Sequence, residues 1–165
     1  EKNEIKKFNK LIKEISKHNF IPITIGGKIK KLNQIYAYLK NGADKISINS
    51  YAFKNTKFIN QIAREFGSQC IVVSIDVKRI NNNYKVFIDN GSKNTNMDLV
   101  DWVNIVQSEG AGEILINSID RDGSKIGYDF KILNKLKNKI KVPLIFCGGV
   151  GHWKDFEIAL KKKRN

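Results

Sequence analysis

Gly42-Ala-Asp-Lys-Ile-Ser-Ile-Asn-Ser50 returns 68 residues later as Gly110-Ala-Gly-Glu-Ile-Leu-Ile-Asn-Ser118. A second pair of related stretches lies at residues 21–27 and 142–149, and their prolines, Pro22 and Pro143, stand 121 residues apart. Half of the first spacing and a quarter of the second give a unit of roughly 30–34 residues, the size of one strand–helix unit in a β/α barrel. Each copy is a short apolar run that ends in small or polar residues, which is typical of a buried parallel strand opening into a loop.

The segments between these runs carry apolar residues at helical spacing, so strands and helices are predicted to alternate. Strict alternation predicts a parallel sheet with right-handed crossovers. The 165 residues hold about five units, so we expect an α/β fold, an incomplete (β/α)8 TIM barrel, with residues 1–165 as a single partial domain. The predicted strands are Ile21–Ile25, Lys45–Asn49, Ile71–Ile75, Glu113–Asn117 and Pro143–Phe146, and the predicted helices lie near 4–18, 32–39, 58–66, 99–106, 132–140 and from about residue 152.

One segment breaks the alternation after the strand that is predicted to end at Asp76. Asn81–Asn83 reads as a turn, Tyr84–Ile88 as a strand and Asp89–Gly91 as a second turn. We therefore expect a small β-hairpin inserted after the Asp76 strand.

Composition narrows the class of protein. The formal net charge of +14 suggests nucleic-acid binding, but the charge is mostly lysine spread over predicted helix faces, so we favour attraction to a phosphorylated metabolite and expect no nucleic-acid partner. No apolar run has the roughly 18 residues of a membrane span, and the amino end reads as an amphipathic helix and not as a signal peptide. Cys70 and Cys147 lie in apolar patterns without metal spacing, so we expect buried free thiols, no metal, no cofactor, no membrane contact and a cytoplasmic location.

Polar and glycine residues follow the predicted strands, where the loops of a β/α barrel build the active site. Paired glycines let backbone N–H groups approach a phosphate, although glycine in such a turn is often only a steric requirement. Aligning the two proline stretches puts Gly27 and Lys28 opposite Gly148 and Gly149. Lys28 is therefore either a point charge for a phosphate or a tolerated surface change.

Asp76 ends a run of apolar residues, where an unpaired carboxylate is costly to bury. It is either a catalytic acid or base or half of an ion pair with Lys78 or Arg79, and its place at a strand end favours catalysis. In Asp120-Arg121-Asp122-Gly123, one carboxylate can pair with Arg121 and leave the other free for chemistry or for a substrate hydroxyl.

Four stretches together resemble the cyclase subunit of imidazole glycerol phosphate synthase, and the resemblance runs along essentially the whole chain. They are Gly42–Ser50, Gly67–Asp76, Gly110–Gly123 and Cys147–Gly151, of which the Ser-Ile-Asp-Arg-Asp-Gly loop at 118–123 is highly specific.

The resemblance implies a lyase of histidine biosynthesis with a (β/α)8 barrel. Such an enzyme takes ammonia from a glutaminase subunit, with which it forms a heterodimer. It converts phosphoribulosyl-formimino aminoimidazole carboxamide ribotide into imidazole glycerol phosphate and aminoimidazole carboxamide ribotide.

The resemblance also assigns roles to residues of this chain. Asp76 is expected to be one of two catalytic aspartates in acid/base roles, and Asp122 to hold the substrate near the reacting centre. Two phosphate sites are expected to be lined by Asn49, Gly123, Gly148 and Gly149, and the further candidate binding residues are Gly27, Lys28, Ser50, Asn90, Gly91 and Asn117.

Some features depart from the family pattern. The family's first, second and eighth strands, and with them the other catalytic aspartate, have no counterpart here, so the chain corresponds to units three to seven and we expect this segment alone to be inactive. Lys28 stands where the family shows glycine, and Asn117 where it usually has threonine.

Asn117 and the Cys147-Gly148-Gly149 motif resemble a paralogous branch that supplies nitrogen to nucleotide-sugar modification in surface polysaccharide synthesis. A non-catalytic phosphate-binding scaffold is the remaining alternative.

Overall fold

A computed structural model describes residues 2–163, in which helices and strands alternate along the chain. The helices are α1 Lys2–His18, α2 Leu32–Lys40, α3 Ser50–Lys54, α4 Lys57–Phe66, α5 Leu99–Ser108, α6 Phe130–Leu136 and α7 Trp153–Lys163. The strands are β1 Thr24–Gly26, β2 Lys45–Ile48, β3 Ile71–Ile80, β4 Asn83–Ile88, β5 Lys93–Asp98, β6 Glu113–Ser118 and β7 Leu144–Cys147, and a 3-10 turn at Ser68–Cys70 precedes β3.

Five strands form a parallel sheet in the order β1-β2-β3-β6-β7. Each is separated from the next parallel strand by at least one helix, as crossover connections require. The described part of the sheet is open, with β1 and β7 as its outer strands. The predicted α/β alternation and the incomplete barrel are therefore confirmed.

The insertion after Asp76 is confirmed, and it is larger than the predicted hairpin. The strand does not end at Asp76, as expected, but continues to Ile80, because β4 pairs antiparallel with β3 from Asp76–Phe87 to Ile80–Asn83. These bonds begin beyond Val73, the last β3 residue that pairs with β2, so β4 supplies the partners that β2 no longer offers. A further strand, β5, pairs with β4 and was not predicted.

Several other boundaries differ from the predictions. α6 ends at Leu136 and not near residue 140, because Lys137 has a non-helical ψ of 129°. The helix expected on Phe58 and Phe66 is preceded by a separate short helix, α3, which begins at Ser50. The outer strands β1 and β7 begin later than expected, after Pro22 and Pro143, which have no N–H group to donate to a neighbouring strand.

Alternation along the strands separates a core face from a polar face. On β2, β3 and β6, every second residue is fully buried against the helices, and examples are Ile46, Ile75, Ile114 and Ile116. The residues between them point to the other face, which holds an ion pair between Lys45 of β2 and Glu113 of β6. This second face is where the predicted site residues of the strands lie.

Candidate active site

Three polar side chains from neighbouring strands meet at the carboxyl end of the sheet. Asp76 of β3 is in register with Asn117 of β6, and Asn49 directly follows β2. The Asp76 carboxylate accepts a hydrogen bond at Oδ2 from Asn49 Nδ2 (2.9 Å) and a longer one at Oδ1 from Asn117 Nδ2 (3.4 Å). The structure thus brings together three residues that sequence alone assigned to separate strand ends.

The ion pair considered for Asp76 does not form within residues 2–163. Neither Lys78 nor Arg79 contacts its carboxylate, and the backbone N–H of Arg79 donates to Asp120 Oδ2 at 2.7 Å instead. Two neutral amides fix the half-buried Asp76 carboxylate without a cation beside it. Such a carboxylate is oriented and open to exchange a proton with a bound molecule.

A cavity of about 640 Å³ opens beside this cluster, which is within the size range of small-molecule sites. It lies between the loops after β1 and β2 and the turn after β4. The predicted binding residues that line it are Gly27, Lys28, Asn49, Ser50 and Asn90. Gly91 adjoins this group, and the space where its Cβ would be is 3.0 Å from Ile119 Cδ1.

The charge around the cavity is positive. Lys28, Lys30 and Lys54 line it with one acid, Asp89, which accepts a hydrogen bond from Lys54 Nζ at 2.8 Å. That bond holds the pKa of the Asp89 carboxyl below its usual value. Lys28 and Lys30 form no ion pair among the described residues, so the cavity has two ammonium groups available for an anion.

The turns after β1 and β7 have the same kind of backbone. Gly27 and Lys28 have φ values of 108° and 53°, and their repeat partners Gly148 and Gly149 have φ values of 98° and 96°. The alignment of the two repeats is therefore reflected in the structure. Lys28 keeps a left-handed conformation that costs an L-residue roughly 1–2 kcal/mol.

Close packing accounts for the two glycines after β7. A Cβ at Gly148 would lie 2.6 Å from Ser118 O and 3.3 Å from Asn117 Oδ1, and a Cβ at Gly149 would lie 2.2 Å from Gly127 O. At Gly27 and Gly123, by contrast, nothing lies within 4 Å of the Cβ position. The steric alternative raised from the sequence therefore explains Gly148 and Gly149 by close packing, whereas at Gly27 only the positive φ favours glycine.

The loop after β6 carries Asp122 toward the same end of the sheet. The side chain of Asp122 is exposed, and its charge adds to burial in raising the pKa of the Cys147 thiol. Cys147 is in register with Asn117, so Asp122 lies on the β7 side of the Asp76 cluster. Both cysteines are free, but the expectation that they are buried is wrong, because both are only partly covered.

The expected pairing of Arg121 with a neighbouring carboxylate does not form. Asp120 accepts from the Arg79 backbone, while Arg121 Nη1 donates to the Ile126 carbonyl at 3.3 Å. In place of the expected ion pair, Asp120 is therefore bonded to β3 and Arg121 is bonded to a carbonyl of its own loop.

Sequence reasoning missed some residues that line the cavity. Ser74 stands two residues before Asp76 on the same strand, and the two-residue period of a strand puts both on one face. Lys54 stands four residues after Ser50, which is the spacing of neighbours on one face of a helix. These two spacings could have indicated Ser74 and Lys54 from the sequence. Asp89 could have been found only from its contacts, since its backbone N–H donates to Ser50 Oγ at 2.8 Å across 39 positions of the sequence. The remaining missed lining residues are Ile29, Lys30, Ser47, Ile48 and Tyr51.

Within the described part of the chain, no cluster of three or more His, Cys, Asp or Glu side chains could hold a metal ion. No helix there has both the length and the apolar character needed to cross a membrane.

Comparison with known proteins decides the family. The family described as "Histidine biosynthesis protein" matches the chain over residues 1–165. The chain belongs to this family. The resemblance stated from the strand-end motifs is therefore confirmed, and the Histidine biosynthesis protein family has the barrel fold expected from the repeats.

Several similar proteins carry the name imidazole glycerol phosphate synthase subunit HisF. The one from Natranaerobius thermophilus is 49% identical over 146 residues, which is 88% of this chain and 58% of that protein. The relatives from Flavobacterium psychrophilum and Hydrogenobaculum sp. are 48% and 47% identical over 90% and 92% of this chain, and over 59% and 60% of their own lengths. The chain thus spans less than two thirds of the length of these curated relatives.

Proposed function

We propose that the protein to which this chain belongs is the cyclase subunit of imidazole glycerol phosphate synthase, a lyase of histidine biosynthesis that acts in the cytoplasm. The observation that carries the proposal is the Asp76 carboxylate, held by Asn49 and Asn117 beside a cavity with two unpaired lysines. That arrangement combines a group that can transfer a proton with a place for a phosphate.

In the proposed reaction, Asp76 acts as a general acid or base on the bound ribulosyl substrate. One phosphate lies in the cavity, near Lys28, Asn49 and Ser50, where backbone N–H groups and ammonium groups favour an anion. The second phosphate lies near Gly123, Gly148 and Gly149, and Asp122 holds the substrate between the two ends. Asn90, Gly91 and Asn117 complete the walls.

Ammonia for this reaction comes from a glutaminase subunit that forms a heterodimer with the protein. Support for a partner comes from the relatives, whose name includes the word subunit. The glutaminase subunit is proposed as the partner because this chain is similar to those relatives.

Replacing Asp76 with Asn tests the proposal in the complete protein. Asp76→Asn keeps the size of the side chain and removes the proton-transferring carboxylate, so we expect kcat with ammonia as the nitrogen source to fall by about 10²–10⁴-fold. Asp101→Asn is the matched control, because Asp101 is exposed on α5 and does not line the cavity, and its kcat should stay within about twofold. Full activity of Asp76→Asn would exclude Asp76 as the acid or base of the reaction, whereas absence of activity in the complete wild-type protein would favour the non-catalytic phosphate-binding scaffold.

A second candidate function rests on Asn117 and the Cys147-Gly148-Gly149 motif. Asn117 donates to Asp76 where the family usually has threonine. By resemblance, Asn117 and this motif favour the paralogous role of supplying nitrogen to nucleotide-sugar modification in surface polysaccharide synthesis. Assaying the complete protein with the ribulosyl substrate and with a nucleotide sugar separates the two functions, since only one should be consumed with ammonia.

A further inference from the structure

A buried hydrogen bond joins the inserted strands to the end of the loop that carries Asp122. Tyr84 of β4 donates its hydroxyl proton to Asp129 Oδ2 at 2.7 Å, across 45 positions of the sequence. Both residues are buried, with 4% and 7% of their surface exposed. A buried carboxylate that loses a donor keeps an unsatisfied oxygen, so this contact constrains the position of Asp129 strongly.

Asp129 is the N-cap residue that directly precedes α6. Its other oxygen, Oδ1, accepts the backbone N–H of Lys131 at 3.1 Å, which caps the first turn of α6. The Tyr84 hydroxyl therefore orients a side chain that fixes where the loop stops and the helix starts.

The β6–α6 loop, residues 119–129, is attached near its start to the end of β3 and at its own end to β4. Near its start, Asp120 Oδ2 accepts the backbone N–H of Arg79 at 2.7 Å. At its end lies the Tyr84–Asp129 bond. Asp122 and Gly123 lie between these two attachments and are exposed, so their placement depends on where the loop is held.

The strand that provides the second attachment is itself rigid. Tyr84 and Val86 of β4 belong to the main cluster of buried residues, together with Leu99 and Trp102 of α5. Such packing makes β4 a fixed support for the loop.

We infer that Tyr84 is a positioning residue that holds the β6–α6 loop, and with it Asp122, against the mouth of the sheet. The inference rests on the proposed function, in which Asp122 contacts the substrate. Loss of the hydroxyl leaves the ring in the core and releases one end of the loop. A displacement of about 1 Å near reacting groups can cost on the order of 10²-fold in rate.

The test is Tyr84→Phe in the complete protein, with Tyr38→Phe as the matched control. Tyr38 is equally buried, at 5% exposure, and its hydroxyl makes no hydrogen bond among the described residues. Amide hydrogen exchange is measured for residues 120–128 and for the β3 residues Val73 and Ile75, and kcat/KM is measured with ammonia supplied directly. Tyr84→Phe should speed exchange in the loop at least tenfold while β3 changes less than about threefold, and kcat/KM should fall at least tenfold. Tyr38→Phe should change each quantity less than about twofold.

Three results would overturn the inference. The first is unchanged loop exchange in Tyr84→Phe. The second is an equal acceleration in the loop and in β3, because the hydroxyl would then act on global stability alone. The third is a faster-exchanging loop with unchanged kcat/KM. If the wild-type protein lacks cyclase activity, the proposed function fails, and the exchange measurement still decides whether Tyr84 holds the loop.

Discussion

At Lys28 the backbone conformation favours glycine, whereas the position of the side chain in the cavity favours a charged residue. Its φ of 53° suits glycine, which stands at the matching position, Gly149, of the second repeat. Its side chain lines the positive cavity and finds no ion-pair partner in the described chain. A strained residue whose charge is not used within the molecule is consistent with a role in binding an anion.

The substitution Lys28→Gly distinguishes the backbone strain at this position from the contribution of the side chain to anion binding. We expect the free energy of unfolding to rise by up to about 1 kcal/mol as the strain is removed. The affinity for inorganic phosphate should fall about three- to tenfold, since a charge-assisted contact is lost. Urea denaturation and titration calorimetry measure the two effects.

Lys125→Gly is the control for the backbone effect, because Lys125 has a φ of 58° and lies outside the cavity. It should gain similar stability. An unchanged phosphate affinity in Lys28→Gly would mean that Lys28 is a tolerated surface change.

Single residues were predictable from sequence where strand alternation determines their direction. Asp76 and Asn117 could be assigned to strand ends because each follows an apolar run, and parallel strands bring such ends to one edge. The Tyr84–Asp129 contact was not predictable. The two residues are 45 positions apart in the sequence and meet only through the packing of an inserted strand, which no local sequence pattern indicates.

At the scale of elements, the inserted strands show where sequence patterns lose information. β4 has buried apolar positions and was predicted, whereas β5 reads Lys-Asn-Thr-Asn-Met-Asp and lacks any apolar alternation. Pairing with β4 makes β5 a strand, with Thr95 Oγ1 donating to the Val86 carbonyl at 2.7 Å. Tertiary pairing here overrides a weak local preference.

The attachment of β4 to the β6–α6 loop should be visible in the pH dependence of stability. Burial, and then the hydrogen bond to Asp129, raises the pKa of Tyr84 to about 12. A folded-state pKa above the unfolded value of about 10 favours the protonated form, so its contribution is complete below about pH 10 and is lost as the pH rises through about 12.

The measurement compares wild type with Tyr84→Phe by urea denaturation at about pH 9 and about pH 11.5. The stability advantage of wild type should shrink by on the order of 2 kcal/mol between these values, because two pKa units correspond to about 2.7 kcal/mol. A constant difference between the two proteins would show that folding does not raise the pKa of the Tyr84 hydroxyl above its unfolded value.

At the scale of the whole molecule, the sheet is open among the described residues, so that backbone groups of β1 and β7 have no neighbouring strand on one side there. β7 also exposes an apolar side chain, Ile145, at 40%. Unpaired edges with apolar residues favour association with another chain. The repeat spacing predicted this open arrangement, because about five strand–helix units cannot close an eight-unit barrel.

We expect the 165-residue polypeptide to self-associate as its concentration rises, and Ile145→Lys to reduce this, since a charge on an edge strand opposes pairing. Sedimentation velocity over a range of concentrations measures the effect. Ile158→Lys is the matched control, with a similar exposure of 45% but a place on α7, and it should change association less. Equal effects of the two substitutions would point to general charge repulsion and away from the edge.

The central strand β3 is bonded to three others: β2 and β6 run alongside it, and β4 runs against it. A slip of β3 by a single position would turn Asp76 toward the helices and bring Ile75 or Val77 into the mouth. Such a slip would have to break pairings with all three neighbours at once. The antiparallel insertion therefore helps to fix the register of β3. Shortening the insertion should disturb the orientation of the Asp76 carboxylate before it unfolds the protein.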